Sequence, residues 1–271
     1  MISAHRVSVR RACEATLVSV SGRYYRPRSR SDADVIEALN ATVERHPRWG
    51  FWKCYDRLRL DGQAWNHKRV HRVYCALRLN LPRRAKRRVP QRLREALTVP
   101  VTANQVWSAD FMADGLYGGR VFRTLNILDD YNREVIAIEI DTSLPAERLI
   151  RMFEQLKVWR GLPGKLRVDN GPEFTAARFV DWAAHNGIQI QYIQPGKPNQ
   201  NAFIERFNRS YREEVLNVYL FQNLDEVREV THWWLIDYNQ RRPHDALHRL
   251  PPVTYAQQAT NQQTSPFACS S

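Results

Sequence analysis

The sequence is poor in the features that would place the chain outside the cytosol. It holds four cysteines in 271 residues, Cys13, Cys54, Cys75 and Cys269, and no two are spaced as C-x-x-C. That excludes a disulfide framework and the usual cysteine-cluster metal centre. No stretch reads as a signal peptide, and none reaches the roughly 18 apolar residues of a membrane span. The expected setting is reducing and cytoplasmic, with no membrane partner. His67, His71 and Cys75 follow at four-residue spacing, which could begin a zinc site, but the second cysteine near Cys75 is missing, so no zinc is expected and the three read as one helix face.

Acidic residues are scarce at the front. Residues 1–100 hold 23 Lys/Arg against 8 Asp/Glu, net +15, whereas residues 101–271 hold 18 against 20, net −2. All of the positive excess therefore sits in the first hundred residues. A basic part joined to a near-neutral one points to a grip on a polyanion and a second part that acts on it. With 43% hydrophobic residues the chain fills a core, and its length suits two domains.

The organisation follows from periodicity and breakers. Residues 1–81 read as a small basic all-α domain. Within it, residues 8–26 give a helix-turn-helix-like signal broken at Gly22. A helix is expected from Asp32 to His46, where Val35, Ile36, Leu39 and Val43 recur, with Asp32 or Ser31 as cap and Pro47 as stop. A second helix is expected from Trp52 to Leu60. A third, from about Asn66 to Leu79, sets Lys68, Arg69 and Arg72 around Val70 and Val73, as when one face packs and the other meets phosphates. Residues 82–100 read as a basic linker: 82–94 hold seven basic side chains, among them Arg83, Arg84, Lys86, Arg87 and Arg88, and no acidic one. Such a segment lies along a DNA backbone, giving affinity without sequence choice.

Residues 101–256 change texture, and 257–271 form a polar tail, expected to be disordered. Strands are expected over Val106–Phe111, Val121–Leu128 and Val135–Ile140, then a helix over Leu144–Arg160, a strand Leu166–Asp169, a helix Thr175–Asn186, a strand Gln189–Ile193 and a helix Asn201–Leu216. Three strands followed by alternating strands and helices mean a mixed α/β sheet with helices on its faces. Asp110 in the first strand, Asp169 ending the fourth and Glu205 opening the last helix are placed to converge. Phosphodiester chemistry needs charge beside both the attacking and the leaving oxygen, which two Mg²⁺ or Mn²⁺ ions on carboxylates supply. Arg209 and Arg212 share Glu205's helix face, with ion pairing to Glu213 or Glu214 as the structural alternative, and Lys197 lies in the proline- and glycine-broken segment 195–202 before it. Glu173 reads as a supporting or helix-start residue, Asp129 and Asp130 as turn residues, and Trp49 and Trp52 as core residues with stacking on DNA as the alternative.

Five segments together carry a family resemblance: Trp107–Phe111, Arg123–Asp130, Val168–Phe174, Pro195–Ala202 with Glu205–Asn208, and Tyr238–Asp245. From about residue 8 to 256 the chain resembles the second-frame (OrfB) transposase subunit of the bacterial IS-three insertion-sequence family, whose core is related to retroviral integrases. The resemblance implies a five-stranded RNase H-like core in which Asp110, Asp169 and Glu205 bind two Mg²⁺ ions, nick one 3′ end and direct its hydroxyl at another strand. It also implies basic residues of the Glu205 helix against the DNA end, a homo-multimer bridging element ends and target DNA, and an upstream-frame (OrfA) partner or fusion. A non-catalytic DNA-binding regulator and a simple metal-dependent nuclease are the competing readings.

Overall fold

The computed structural model describes residues 8–25, 31–82, 97, 99–194 and 198–263. The expectations for residues 83–94, including Arg83, Arg84, Lys86, Arg87 and Arg88, for Lys197 and for the end of the polar tail lie outside the described residues.

At the front, helices α1 (Val9–Ala15) and α2 (Val20–Tyr24) precede a trio, α3 (Ala33–Arg45), α4 (Phe51–Leu60) and α5 (His67–Ala76). The trio closes its own core from Val35, Leu39, Trp49, Cys54, Leu58, Val70, Val73 and Tyr74. Asn66 caps α5, its side chain accepting from the Lys68 N–H at 2.9 Å. Asp32 does not cap α3. Its carboxylate accepts from Arg69 Nε at 2.9 Å and Arg72 Nη2 at 2.6 Å, and Ser31 takes the Ala33 N–H instead. Two guanidinium groups outbid one backbone N–H for an anion, and their hydrogen bonds hold the Asp32 carboxyl below its ordinary range. Trp49 is a core residue, 1% exposed and stacked flat on His46 at 3.7 Å, so it is not available to DNA bases. Trp52 is half exposed, with the Arg249 guanidinium 5.1 Å from its ring.

Five strands follow in the order β3-β2-β1-β4-β5: β1 (Val106–Gly115), β2 (Val121–Asp129), β3 (Val135–Asp141), β4 (Lys165–Val168) and β5 (Gln189–Tyr192). The first three form an antiparallel meander and the last two join β1 in parallel. This is the mixed sheet expected from the pattern. Strand β1 runs four residues past its expected end, because β2 pairs with it from Trp107↔Asp129 to Gly115↔Val121.

Alternation divides the sheet into two faces. Trp107, Ala109, Leu125, Ile127, Leu166 and Val168 point to one face, covered by α6 (Ala146–Trp159), α7 (Pro172–Thr175) and α8 (Ala177–His185). Fully buried Phe153, Phe174 and Phe179 fill that layer, each contributing roughly 1.5–3 kcal/mol. The other face carries Phe122, Leu128, Val135 and Ile140 under α9 (Ala202–Tyr211) and α10 (Leu224–Gln240). α11 (Pro252–Gln263) packs on α10. No helix among the described residues is long and apolar enough to cross a membrane.

Two expected helices differ in form. The one placed at Thr175–Asn186 is broken at Ala176, whose extended ψ of 128° separates α7 from α8. The break lets Phe174 reach the core while its carbonyl accepts from Tyr192 Oη at 2.9 Å. The last helix is α-helical only to Tyr211. Arg212–Leu216 is a π turn, closed by the Asn217 N–H on the Arg212 carbonyl at 2.8 Å. The wider turn lets Tyr211, Val215 and Leu216 all bury.

The front trio sits on the end of the sheet domain. Arg57 Nη1 donates to the Arg241 carbonyl at 3.1 Å, Arg249 Nη1 to Asp56 Oδ1 at 2.9 Å, and His46 Nδ1 lies 3.7 Å from Asp237 Oδ2.

Candidate active site

The sheet register brings the first two carboxylates together. Ser108 pairs with Arg167 across the parallel β1/β4 junction, so two residues further on Asp110 stands level with Asp169, just past the end of β4. Trp107 and Ala109 face the other layer, which leaves Ser108, Asp110 and Met112 under α9. On α9, Ile204, Phe207 and Tyr211 are buried, and Glu205 in the first turn stays exposed.

The helix is tied to the sheet one turn beyond Glu205. Asn208 Nδ2 donates to Asp110 Oδ2 at 2.7 Å, and Asn126 Nδ2 donates to Asn208 Oδ1 at 2.7 Å. Asn126 is the residue opposite Asp110 on β2. Phe111 N–H donates to Asp110 Oδ1 at 2.9 Å, so both carboxylate oxygens have a donor. Burial pushes the Asp110 carboxyl up from 3.8 to about 6, and the negative charges of Asp169 and Glu205 add to it. Among the described residues no group of three His, Cys, Asp or Glu side chains is placed to hold a metal ion, although Asp169 and Glu205 lie near enough for their charges to act on Asp110.

Local backbone fixes Asp169. Its Oδ1 accepts the Gly171 N–H at 2.9 Å. A Cβ on Gly171 would lie 2.9 Å from that same oxygen, so any side chain there would have to displace the Asp169 carboxylate. Glu173 lies in the single turn α7, where its carboxylate pairs with Arg123, whose guanidinium lies 4.3 Å from the Phe111 ring. Asp129 and Asp130 are fully buried and consumed by structure. Asp129 accepts the Asn104 and Tyr131 N–H groups at 2.8 and 2.9 Å, and Asp130 accepts from Ser108 Oγ at 2.7 Å and Arg167 Nη1 at 2.6 Å.

The basic residues separate by environment. Lys68 and Arg209 are exposed, the latter one turn after Glu205. Arg69 and Arg72 hold Asp32, and Arg212 holds Asp114 Oδ2 at 3.2 Å and the Ala113 carbonyl at 2.9 Å rather than its neighbours Glu213 and Glu214. Asn126 and Asn208 were passed over as site residues in the sequence. The available signal was an asparagine between Leu125 and Ile127 in an otherwise apolar strand, and a second one three residues after Glu205.

A parallel–antiparallel sheet with two carboxylates at the β1/β4 junction and a helix bearing Glu205 packed on the same face defines an integrase-type core behind a helical front. Residues 100–198 and 186–252 each match the integrase core domain family, and residues 29–88 match the HTH-like domain family. The helix-turn-helix match thus falls on α3–α5, not on the 8–26 segment that carried the sequence signal. An insertion element IS407 protein of Burkholderia multivorans is 37% identical over 251 residues, covering 92% of this chain and 91% of that protein. An insertion element IS476 protein of Xanthomonas euvesicatoria is 35% identical over 260 residues, covering 96% of this chain and 75% of that protein. A chain of the simian T-cell lymphotropic virus intasome shares the fold at a TM-score of 0.50 and 15% identity, covering 81% of this chain and 74% of that chain. The chain belongs to the insertion-element transposases of the IS-three, second-frame type. It is a DNA transposase, a polynucleotidyl transferase with an integrase core.

Proposed function

We propose that Asp110, Asp169 and Glu205 are the catalytic carboxylates and that they act with two divalent ions, Mg²⁺ or Mn²⁺, to nick a 3′ end and join it to a second strand. The observation that carries this reading is the Asn208–Asp110 hydrogen bond of 2.7 Å, which ties the Glu205 helix to the carboxylate pair on the sheet. The donor set consists of hard oxygen ligands, which suits magnesium and not zinc. Bound there, such ions supply positive charge beside both the attacking and the leaving oxygen of the phosphodiester.

The protein's own part is positional. Asn208 and Asn126 orient Asp110, Gly171 orients Asp169, and α9 carries Glu205 over both. Elevation of the Asp110 carboxyl comes mostly from burial, and a divalent ion held by these carboxylates would favour its ionised form. Lys68, Arg209 and the basic stretch from Arg83 to Arg88 supply phosphate contacts, with residues 1–81 as the DNA-gripping unit, 82–100 as linker and 101–256 as the core. A homo-multimer, with or without an upstream-frame (OrfA) partner, bridges the two DNA segments.

The test is Mg²⁺-dependent nicking and joining of the element's terminal DNA by the chain alone, by its upstream fusion and by Glu205→Gln of each. Loss of both products with DNA binding retained is expected. Equal activity in Glu205→Gln would remove Glu205 from the site, and nicked but never joined product would leave only a nuclease.

A further inference from the structure

The segment Tyr238–Asp245, one of the five that carry the family resemblance, has no role in the chemistry above, yet it walls a cavity of about 190 Å³. The other walls come from Lys53 on α4, from Arg133 in the β2–β3 turn, and from Phe203, Arg206 and Phe207 on α9. The lining is cationic: Lys53, Arg133, Arg206 and Arg242 face Asp245 alone, and Glu214 behind Arg242 takes up that one arginine.

Several of these groups lack a protein partner. Arg133 is 9% exposed, with its plane 3.5 Å over Phe203, and its buried Nη1 has no hydrogen-bond acceptor. His244 Nε2 is likewise buried without a partner. The side chains of Lys53 and Arg206 form no hydrogen bond or ion pair among the described residues. Burying cations without anions is expensive, and each unmet donor adds roughly 1–3 kcal/mol. A site that keeps such groups around an opening, rather than replacing them with apolar ones, is built for an anion. The cavity holds about six waters at roughly 30 Å³ each, room for one tetrahedral oxyanion with part of its shell.

We infer that this cavity is a phosphate site that takes one phosphate of the DNA backbone, held by Lys53 from the front helices and by Arg133 and Arg206 from the core. It rests on the DNA-handling reading above and deepens it. Arg206 adjoins Glu205, and Lys53 belongs to the helix-turn-helix-like trio, so a phosphate seated here couples the gripping unit to the catalytic helix. Burial, and after it the charges of Arg242 and Arg206, push the Lys53 ammonium down to about 8, with Glu214 and Asp245 opposing.

The experiment uses the full chain, the single variants Lys53→Gln and Arg206→Gln, their double, and Arg151→Gln on the exposed side of α6 as a charge-matched control. The first arm is thermal unfolding in inorganic phosphate against chloride at equal ionic strength. At tenfold over its Kd phosphate should raise Tm by roughly 3–6 °C in the wild type and in Arg151→Gln, beyond any general salt effect that the double variant also shows. The second arm is binding of a mixed-sequence DNA duplex across a salt titration. Loss of the single seated phosphate in the double variant should flatten the log–log slope by about 0.9, the single variants by no more than that, with no change in Arg151→Gln.

Equal phosphate stabilisation in the double variant would overturn the site. Stabilisation lost in the double variant with an unchanged DNA slope would overturn the DNA source and leave a pocket for free phosphate. A wild-type chain that binds no duplex would instead sink the DNA-handling reading, while the phosphate arm still decides whether the cavity takes an anion.

Discussion

Replacing Asp110 by asparagine should stabilise the protein while abolishing its activity. A carboxyl raised from 3.8 to about 6 costs the folded chain about 3 kcal/mol once ionised. Asparagine removes that charge with no change in volume. It loses the acceptor for Asn208 Nδ2, whose partner oxygen is already committed to Asn126, at a cost of about 1 kcal/mol. The net gain is about 2 kcal/mol, or roughly 4–8 °C in Tm for a chain of this size. Because the folded carboxyl is raised, the wild type keeps its stability below 3.8 and loses it as pH rises through about 6. The advantage of Asp110→Asn should therefore be full at about pH 7.5 and vanish near pH 4. Urea or thermal unfolding at both pH values, without divalent metal, measures it, and added Mg²⁺ should narrow the gap by stabilising the wild type alone. A variant no more stable at neutral pH, or one equally favoured near pH 4, would refute the reasoning.

Gly171→Ala should leave the melting temperature nearly unchanged and cut nicking by tenfold or more, since its Cβ displaces the Asp169 carboxylate rather than any core group; nicking assays that match wild type would show that the close approach is dispensable. Asp130→Ala should cost about 3–5 kcal/mol by stranding Arg167, whose side chain is 8% exposed, whereas Asp130→Leu with Arg167→Met should recover most of it in denaturant titrations. His46, held down to about 4 chiefly by burial, must stay neutral in the fold, so stability present above 6.5 falls as pH drops from 6.5 towards 4. Asp237 does not rescue it, because burial raises that carboxyl too. Quenching or red shift of Trp fluorescence over that window, centred on stacked Trp49, should track the loss, and a flat profile would count against it.

The legible parts of this fold were those written in nearest-neighbour pattern. Alternation in Val135–Ile140 and the stripe of Leu149, Phe153 and Leu156 place a strand and a helix without reference to anything distant. Asp110, Asp169 and Glu205, the carboxylates proposed above, stand out in the sequence because each sits in a distinctive local motif. What escaped depends on partners far along the chain. Asp32 had the right residue type for a cap, but Arg69 and Arg72, 37 and 40 residues on, claimed it. Asn126 and Asn208 meet across 82 residues. The π turn at 212–216 is set by which residues must bury, not by any breaker. The three helices of the front trio were legible from their apolar stripes and from Pro47 and Asp61–Gly62 as stops, although the helix-turn-helix signal itself was read at residues 8–26.

The docking of front helices on the end of the core also dictates an order of assembly. Arg57 meets Arg241 across 184 residues, and Asp56 meets Arg249 across 193. Contacts of such sequence separation close late, since the loop entropy is lost before any of them is gained. During synthesis the trio α3–α5 can fill its own core early and then waits, unseated, until residues beyond Arg249 have emerged. A chain halted near residue 240 would carry a DNA-gripping unit and the whole sheet with no fixed orientation between them, so co-translational binding to nearby DNA would precede competence to cut it.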